Sequence, residues 1–286
     1  MTLVHRSRNV DAFATGWAQT GQDRLAVQAR LPHDHAFFAP VQGRLHDPVL
    51  VAETIRQSAL VALHGLYGVP LDYQLLLAAL DFKCVAPLID NSAPVTDVLV
   101  EVTGSEIKMR GPHPGSLRLD MVIRQGNTVV AHGALAARIT SPRAYTRLRD
   151  GRTEPRTSMP ASTLAHPSTV GRSTPADVLL EPTAHAHTWH LSVDTNHSTL
   201  FQSPKDHVPG MLLLEAARQA SVELTHADSA PFYPGSAETA FYGYVELDEP
   251  CRIRAVRVPS LVPDTTAVQV TGTQKDAPVF VTTFTG

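Results

Sequence analysis

What most limits the folds open to this chain is an apolar helix that is written twice. The second copy is the clearer. After Asp206-His207-Val208, the run Pro209-Gly210-Met211-Leu212-Leu213-Leu214-Glu215-Ala216-Ala217-Arg218-Gln219 is apolar except at Glu215, Arg218 and Gln219. Residues three and four apart share a helix face, so those three form one polar spot on an otherwise apolar cylinder. A helix of that kind is buried, and a carboxylate and a guanidinium carried inside with it require partners or a task. The first copy, His46-Asp47-Pro48-Val49-Leu50-Val51-Ala52-Glu53-Thr54-Ile55-Arg56-Gln57, has Glu53, Arg56 and Gln57 at the same relative spacing. Proline opens both runs, where a helix accepts it, and Asp47 is placed to cap the first. Downstream, Leu80-Asp81-Phe82-Lys83-Cys84 matches Leu247-Asp248-Glu249-Pro250-Cys251 at three positions. Two matches in one order point to an internal duplication.

Around each helix the chain reads as strands. In the first half, Arg24 to Leu31 alternates, and a loop from Pro32 to Leu45 carries His33, His35, Phe37, Phe38 and Pro40. The helix then spans Pro48 to about Leu66, ended by Gly65, Gly68 and Pro70. Strands are expected over Tyr73–Cys84, Val95–Val102, Leu117–Ile123 and Thr128–Ile139, the last two joined by a turn at Gln125-Gly126-Asn127. Residues 141–175 are rich in Pro, Ser, Thr and Arg and read as a connection. Its cluster Arg143, Arg147, Arg149, Arg152 and Arg156 reads as solvated surface, with binding of a phosphate or an acidic carrier as the alternative. The second half repeats the order: strand His185–Asp194, loop Thr195–Val208, helix Pro209 to about Thr225, then strands at Ala240–Leu247, Cys251–Val258, Ala267–Thr273 and Val279–Phe284. One long apolar helix with several antiparallel strands fits a sheet wrapped around that helix. The expected class is therefore α+β, a tandem hot-dog, with an N-terminal domain over 1–140, a linker over 141–175 and a C-terminal domain over 176–286.

Composition excludes several functions. The 286 residues suffice for two domains, and 43% hydrophobic content supports packed cores. A net charge of -3 and only 6% aromatic residues disfavour a nucleic-acid surface. No apolar run approaches the ~20 residues of a membrane span, and Met1-Thr2-Leu3-Val4-His5-Arg6 lacks the apolar stretch of a signal peptide. The two cysteines fit free thiols of a reducing cytoplasm. Fourteen histidines include His33 with His35 and His185 with His187, each pair sharing a strand face, but nothing completes a ligand set. No metal and no cofactor are expected. There is no G-x-S-x-G elbow, and Cys84 and Cys251 have only Lys83 and Arg252 as adjacent charges, too little to mark a nucleophile.

The runs His46 to Gln57, Tyr67-Gly68-Val69-Pro70-Leu71-Asp72 and Asp206 to Gln219 resemble the A-factor biosynthesis proteins, gamma-butyrolactone signal synthases of actinomycetes. The likeness spans both halves. It implies a double hot-dog enzyme that joins a beta-ketoacyl group, delivered as a thioester on acyl carrier protein, to the hydroxyl of dihydroxyacetone phosphate, the first step toward a butenolide-type signal. A more distant likeness is to hot-dog fatty-acid dehydratases, whose catalytic histidine lies fourteen positions before the helix glutamate. Here that count lands on Phe201 and Ala39, which cannot exchange a proton, although a shifted register leaves His197 or His35 open.

Acyl transfer from sulfur to a hydroxyl needs a proton acceptor, donors for the oxyanion and a cation for the acceptor's phosphate. The expected assignment is Glu215 as base, Gly210 and its neighbours as oxyanion donors, Arg218 as phosphate ligand and Gln219 as orienting group. Gly210 follows Pro209 where the first half has Val49, which favours the second helix; Glu53, Arg56 and Gln57 then shape the pocket or serve directly. Asp206 and His207 either shape the pocket mouth or simply cap and turn the chain into the helix, and His46 is a further substrate-binding candidate. A plain helix ion pair is the competing reading of Glu215 and Arg218. A hot-dog thioesterase or dehydratase, or a non-catalytic acyl- or lactone-binding regulator, competes with the transferase, and a homo-oligomer is left open.

Overall fold

Both apolar runs are helices, and each is the axis of its own unit. The computed structural model describes residues 2–39, 46–86 and 94–286, which divide into units Met1–Arg152 and Thr153–Gly286. Helix α1 (Pro48–Val61) continues into one π-helical turn, Ala62–Leu66. Helix α2 (Pro142–Leu148) is short, and α3 (Gly210–Thr225) is the second long one. Asp47 closes the start of α1, its Oδ1 accepting from Val49 N at 2.8 Å. No side chain caps α3 at Pro209.

The first unit has strands β1 (Ala14–Gly21), β2 (Arg24–Pro32), β3 (Gln74–Cys84), β4 (Val95–Arg110), β5 (His113–Gln125) and β6 (Thr128–Thr140), all antiparallel, in the order β1-β2-β4-β5-β6-β3. The second has β7 (Leu180–Pro182), β8 (Thr188–Leu191), β9 (Ser236–Phe241), β10 (Arg252–Val258), β11 (Ala267–Gln274) and β12 (Ala277–Thr285). Their order, β7-β8-β10-β11-β12-β9, is that of the first unit strand for strand. The duplication thus extends to topology.

Helix α1 packs on β1 and β2 at one end of that order and on β6 and β3 at the other. A straight helix reaches both ends of a six-stranded sheet only if the sheet curls round it, which is the hot-dog plan. Leu50 and Ile55 are buried, as are Val27, Val100, Leu119 and Leu135 of the strands, in a core sealed from water. Gly133 of β6 permits the approach: a side chain there would run into Ile55. In the second unit α3 packs on β10, β11 and β12, and Leu212, Ala216 and Ala220 are buried with Ile253, Val268, Val270 and Phe280.

Several expectations change. Each helix is preceded by two strands, not one, because β1 and the three-residue β7 were unread. Strand β9 lies at Ser236–Phe241 rather than Ala240–Leu247. The stretch 141–175 holds α2 and the short 3-10 turn Pro167–Val170, and a second such turn, Pro175–Asp177, starts at its end. The Leu-Asp echo does not mark equivalent places: Cys84 ends β3, whereas Cys251 immediately precedes β10, the counterpart of β4. Residues 40–45 of the expected loop, Pro40 included, lie outside the described residues. Among those described, no helix is long and apolar enough to cross a membrane.

Candidate functional site

The polar spot on each helix is the centre of a largely buried network, and the two networks share the same set of partners. Glu53 and Glu215 are both 0% exposed. In the first unit Arg56 donates to Glu53 through Nε and Nη2, each at 2.8 Å. A second guanidinium, Arg6, closes on the same carboxylate with Nε at 2.9 Å and Nη2 at 2.7 Å. In the second unit Arg218 donates to Glu215 through Nε and Nη2, each at 2.8 Å, and Arg172 through Nε at 2.8 Å with Nη2 2.7 Å away. Gln57 and Gln219 each donate to their glutamate at 2.7 Å. They also donate to a backbone carbonyl, of Asp11 or Asp177, at 2.7 Å and accept from a backbone N–H, of Phe13 or Leu179, at 2.8 Å. Arg56 and Arg218 reach the carbonyls of Val4 and Val170.

Two histidines extend the networks. His35 Nε2 lies 3.1 Å from Asp11 Oδ1, and His197 Nε2 lies 3.2 Å from Asp177 Oδ1. The other ring nitrogen accepts two backbone N–H groups, from Phe37 and Phe38 in one unit and from Thr199 and Leu200 in the other. A nitrogen accepting two N–H bonds carries no proton, so each ring is the Nε2–H tautomer donating to its aspartate. Both nitrogens are engaged, so the register shift that kept His35 and His197 open as dehydratase-type bases has no support in the geometry.

These surroundings govern the chemistry of the glutamates. Burial alone would raise the Glu53 carboxyl; Arg56 and Arg6 outweigh it and hold the group at about 2. Burial opposes and Arg172 and Arg218 prevail in the same way at Glu215, which lies well below the usual carboxylate range. A carboxylate so stabilised is a weak proton acceptor. Arg218, with 4% of its side chain exposed, is committed to Glu215 and Val170. Gln219 and Gln57 are wholly engaged within the chain. Of the expected site residues, then, Glu215, Arg218, Gln219, Glu53, Arg56 and Gln57 are brought together, three in each unit, and are bonded to one another.

The helix starts are different. At α3, His207 Nδ1 lies 2.8 Å from Asp206 Oδ1, and the ring meets Tyr244 edge-on with centroids 4.9 Å apart. Asp206 is 8% exposed and the His207 side chain 22%. With Nδ1 donating to a carboxylate, the tautomer of an imidazole that carries its lone pair on Nε2 is the one favoured. Two residues on, Pro209 leads into Gly210, the first helical residue. At α1, His46 Nε2 and His33 Nε2 lie 3.3 Å and 2.8 Å from the buried Thr96 Oγ1. Burial, with His33 nearby, pushes His46 down to about 4, so it is neutral at physiological pH. Counted from the helix start, Gly210 corresponds to Pro48, not Val49.

The remaining candidates are quiet. Burial pushes the Cys84 thiol up to about 11 and the Cys251 thiol up to about 12, and both are free. Arg143, Arg147, Arg152 and Arg156 are exposed, whereas Arg149 is buried. Among the described residues no three His, Cys, Asp or Glu side chains are grouped to hold a metal.

Sequence reading missed Arg6 and Asp11 and their counterparts Arg172 and Asp177, and it took His35 and His197 only as shifted-register bases, not as partners of those aspartates. A signal existed. Arg6-Ser7 and Asp11 recur as Arg172-Ser173 and Asp177 at the same spacing, and each histidine lies eighteen positions before its glutamate.

Residues 1–141 and 153–286 match the model of the A-factor biosynthesis hotdog domain. Over 286 residues the chain is 45% identical to a 2-oxo-3-(phosphooxy)propyl 3-oxoalkanoate synthase of Streptomyces coelicolor, covering 100% of this chain and 90% of the relative. Proteins of the same description from Streptomyces griseus and Streptomyces virginiae are 44% and 37% identical, covering 99% and 97% of this chain and 94% of each relative. Among solved structures, the dehydratase domain of RzxB from Pseudomonas fluorescens superposes with a TM-score of 0.51 at 12% identity, covering 99% of this chain and 97% of that one. An acyl-ACP thioesterase from Bacteroides thetaiotaomicron gives 0.50 at 11% identity, covering 91% and 96%. These two likenesses establish the fold alone.

Proposed function

The chain belongs to the A-factor biosynthesis hotdog family, and from that premise we propose that it transfers a 3-oxoacyl group from a carrier-protein thioester to the free hydroxyl of dihydroxyacetone phosphate. The product is the ester that the relatives' description specifies, a 2-oxo-3-(phosphooxy)propyl 3-oxoalkanoate. The reaction runs in the cytoplasm, with an acyl carrier protein as acyl donor.

The observation that carries the placement of the chemistry is the Asp206–His207 pair beside the uncapped start of α3. His207 Nε2 takes the proton of the acceptor hydroxyl as its oxygen attacks the thioester carbon. Asp206 steadies the imidazolium that forms. The first-turn N–H groups at Gly210 and Met211 face developing negative charge on the carbonyl oxygen, with the positive end of the helix behind them. The C–S bond then breaks, and the departing thiolate takes the proton back from His207. Glu215, which sequence reading favours as the base, serves instead to hold the helix in place. The phosphate of the acceptor is met by a cation other than Arg218.

Mass spectrometry of products from one defined 3-oxoacyl carrier-protein thioester, with and without dihydroxyacetone phosphate, tests this. Acceptor-dependent formation of the phosphorylated ester is expected. Free acid released without acceptor would make the protein a thioesterase, and an enoyl product would make it a dehydratase.

A further inference from the structure

We infer that Asp177 and His197 are positioning residues for the mouth of α3: they fix the course of the loop that carries Asp206 and His207. The inference rests on the reading just given, that the chemistry lies at that mouth. The loop from His197 to Val208 is anchored at both ends. At its near end the His197 ring accepts from Thr199 and Leu200, and Phe201 N donates to the His197 carbonyl at 3.0 Å, so the first turn is folded around the imidazole. Leu200 and Phe201 are buried beneath it. The ring is held by Asp177, whose own carbonyl is gripped by Gln219 of α3 at 2.7 Å. At its far end His207 forms a backbone bridge with Glu246, and Val208 N donates to the Val245 carbonyl at 2.9 Å. One end is thereby registered to the middle of α3 and the other delivers the chain to the start of the same helix. A shift at Asp177 is passed through His197 to the dyad, and displacement of a catalytic group by about 1 Å costs on the order of 100-fold in rate.

The duplication provides a matched control. Asp11 and His35 make the same bonds in the first unit, but their loop leads to His46 beside a capped helix. Asp177→Ala and Asp11→Ala each remove the aspartate–histidine bond, together with one further tie, to Thr174 in the second unit and to Arg8 in the first. We expect both to lower Tm by similar amounts, but only Asp177→Ala to lower kcat for ester formation, on the order of 10- to 100-fold, with KM little changed. Asp177→Asn retains an acceptor for the His197 N–H and should restore kcat to within about threefold of wild type. Should Asp177→Ala fail to fold, His197→Gln against His35→Gln makes the same contrast. Equal kcat in the two matched variants, or an unaltered kcat in Asp177→Ala, overturns the positioning role while leaving the transferase intact. A wild-type protein that forms no ester in this assay overturns both.

Discussion

The two units share the main bonds of their buried tie and differ at the mouths of their helices. In each, one carboxylate joins two arginines and a glutamine, and an aspartate–histidine pair continues into the backbone. Yet α1 begins under the Asp47 cap beside a neutral, buried His46, while α3 begins uncapped beside a partly exposed His207 joined to Asp206. On the proposed placement of the chemistry, the shared polar spot ties each helix into its unit, and the acyl transfer lies at the mouth that only α3 has.

The largest test of this difference is His207→Gln against His46→Gln. Loss of a general base costs about 10²- to 10⁴-fold in kcat, expected at His207 only; the effect at His46 should be smaller by at least tenfold. Comparable losses in steady-state ester formation would abolish the asymmetry. Next come Glu215→Ala and Glu53→Ala. Each leaves two buried or half-buried guanidinium groups without their carboxylate, which costs about 3–5 kcal/mol, and urea denaturation should find the two values within about 1 kcal/mol of each other. A large inequality would mean that the ties, though alike in geometry, are not alike in energy.

Acid should then act on both units together. Glu53 is lowered from its ordinary 4.5 to about 2 in the folded protein, and Glu215 is lowered by the same kind of partners. A depressed carboxyl contributes stability that is fully present above the unfolded value and is lost as pH falls through the folded one. Each should contribute about 3 kcal/mol at neutral pH, lost between about pH 4.5 and 2. Urea midpoints followed by circular dichroism across that range should show it, and Glu53→Gln with Glu215→Gln should flatten the profile. The smallest effect is Asp47→Ala, which removes the cap of α1 at a cost of about 1 kcal/mol; α3 has no counterpart to lose, so thermal unfolding should report a change from this one helix start.

Much of this was legible in the chain. The first long helix, with its π turn, stops at Leu66 just before Gly68 and Pro70, and α3 begins one residue from its expected start. The strands buried on one face, β2, β5 and β6, alternate and were found. Strand β1 was missed because it is mostly exposed and has no apolar alternation, and β7 because three residues carry no period. The ties were half visible. Glu, Arg and Gln lie close together on one helix, but Arg6 and Arg172 lie 47 and 43 residues away, and only folding brings them in. Without them Glu215 looks like a carboxylate in search of a substrate. With them its charge is already matched.

The two thiols described above have a corollary for a protein that handles activated acyl groups. With Cys84 at about 11 and Cys251 at about 12, almost none of either is thiolate at neutral pH, and the thiolate is the form that attacks a carbonyl. Transthioesterification onto the protein's own sulfur is therefore slow, and the acyl chain reaches its alcohol without being captured on the way.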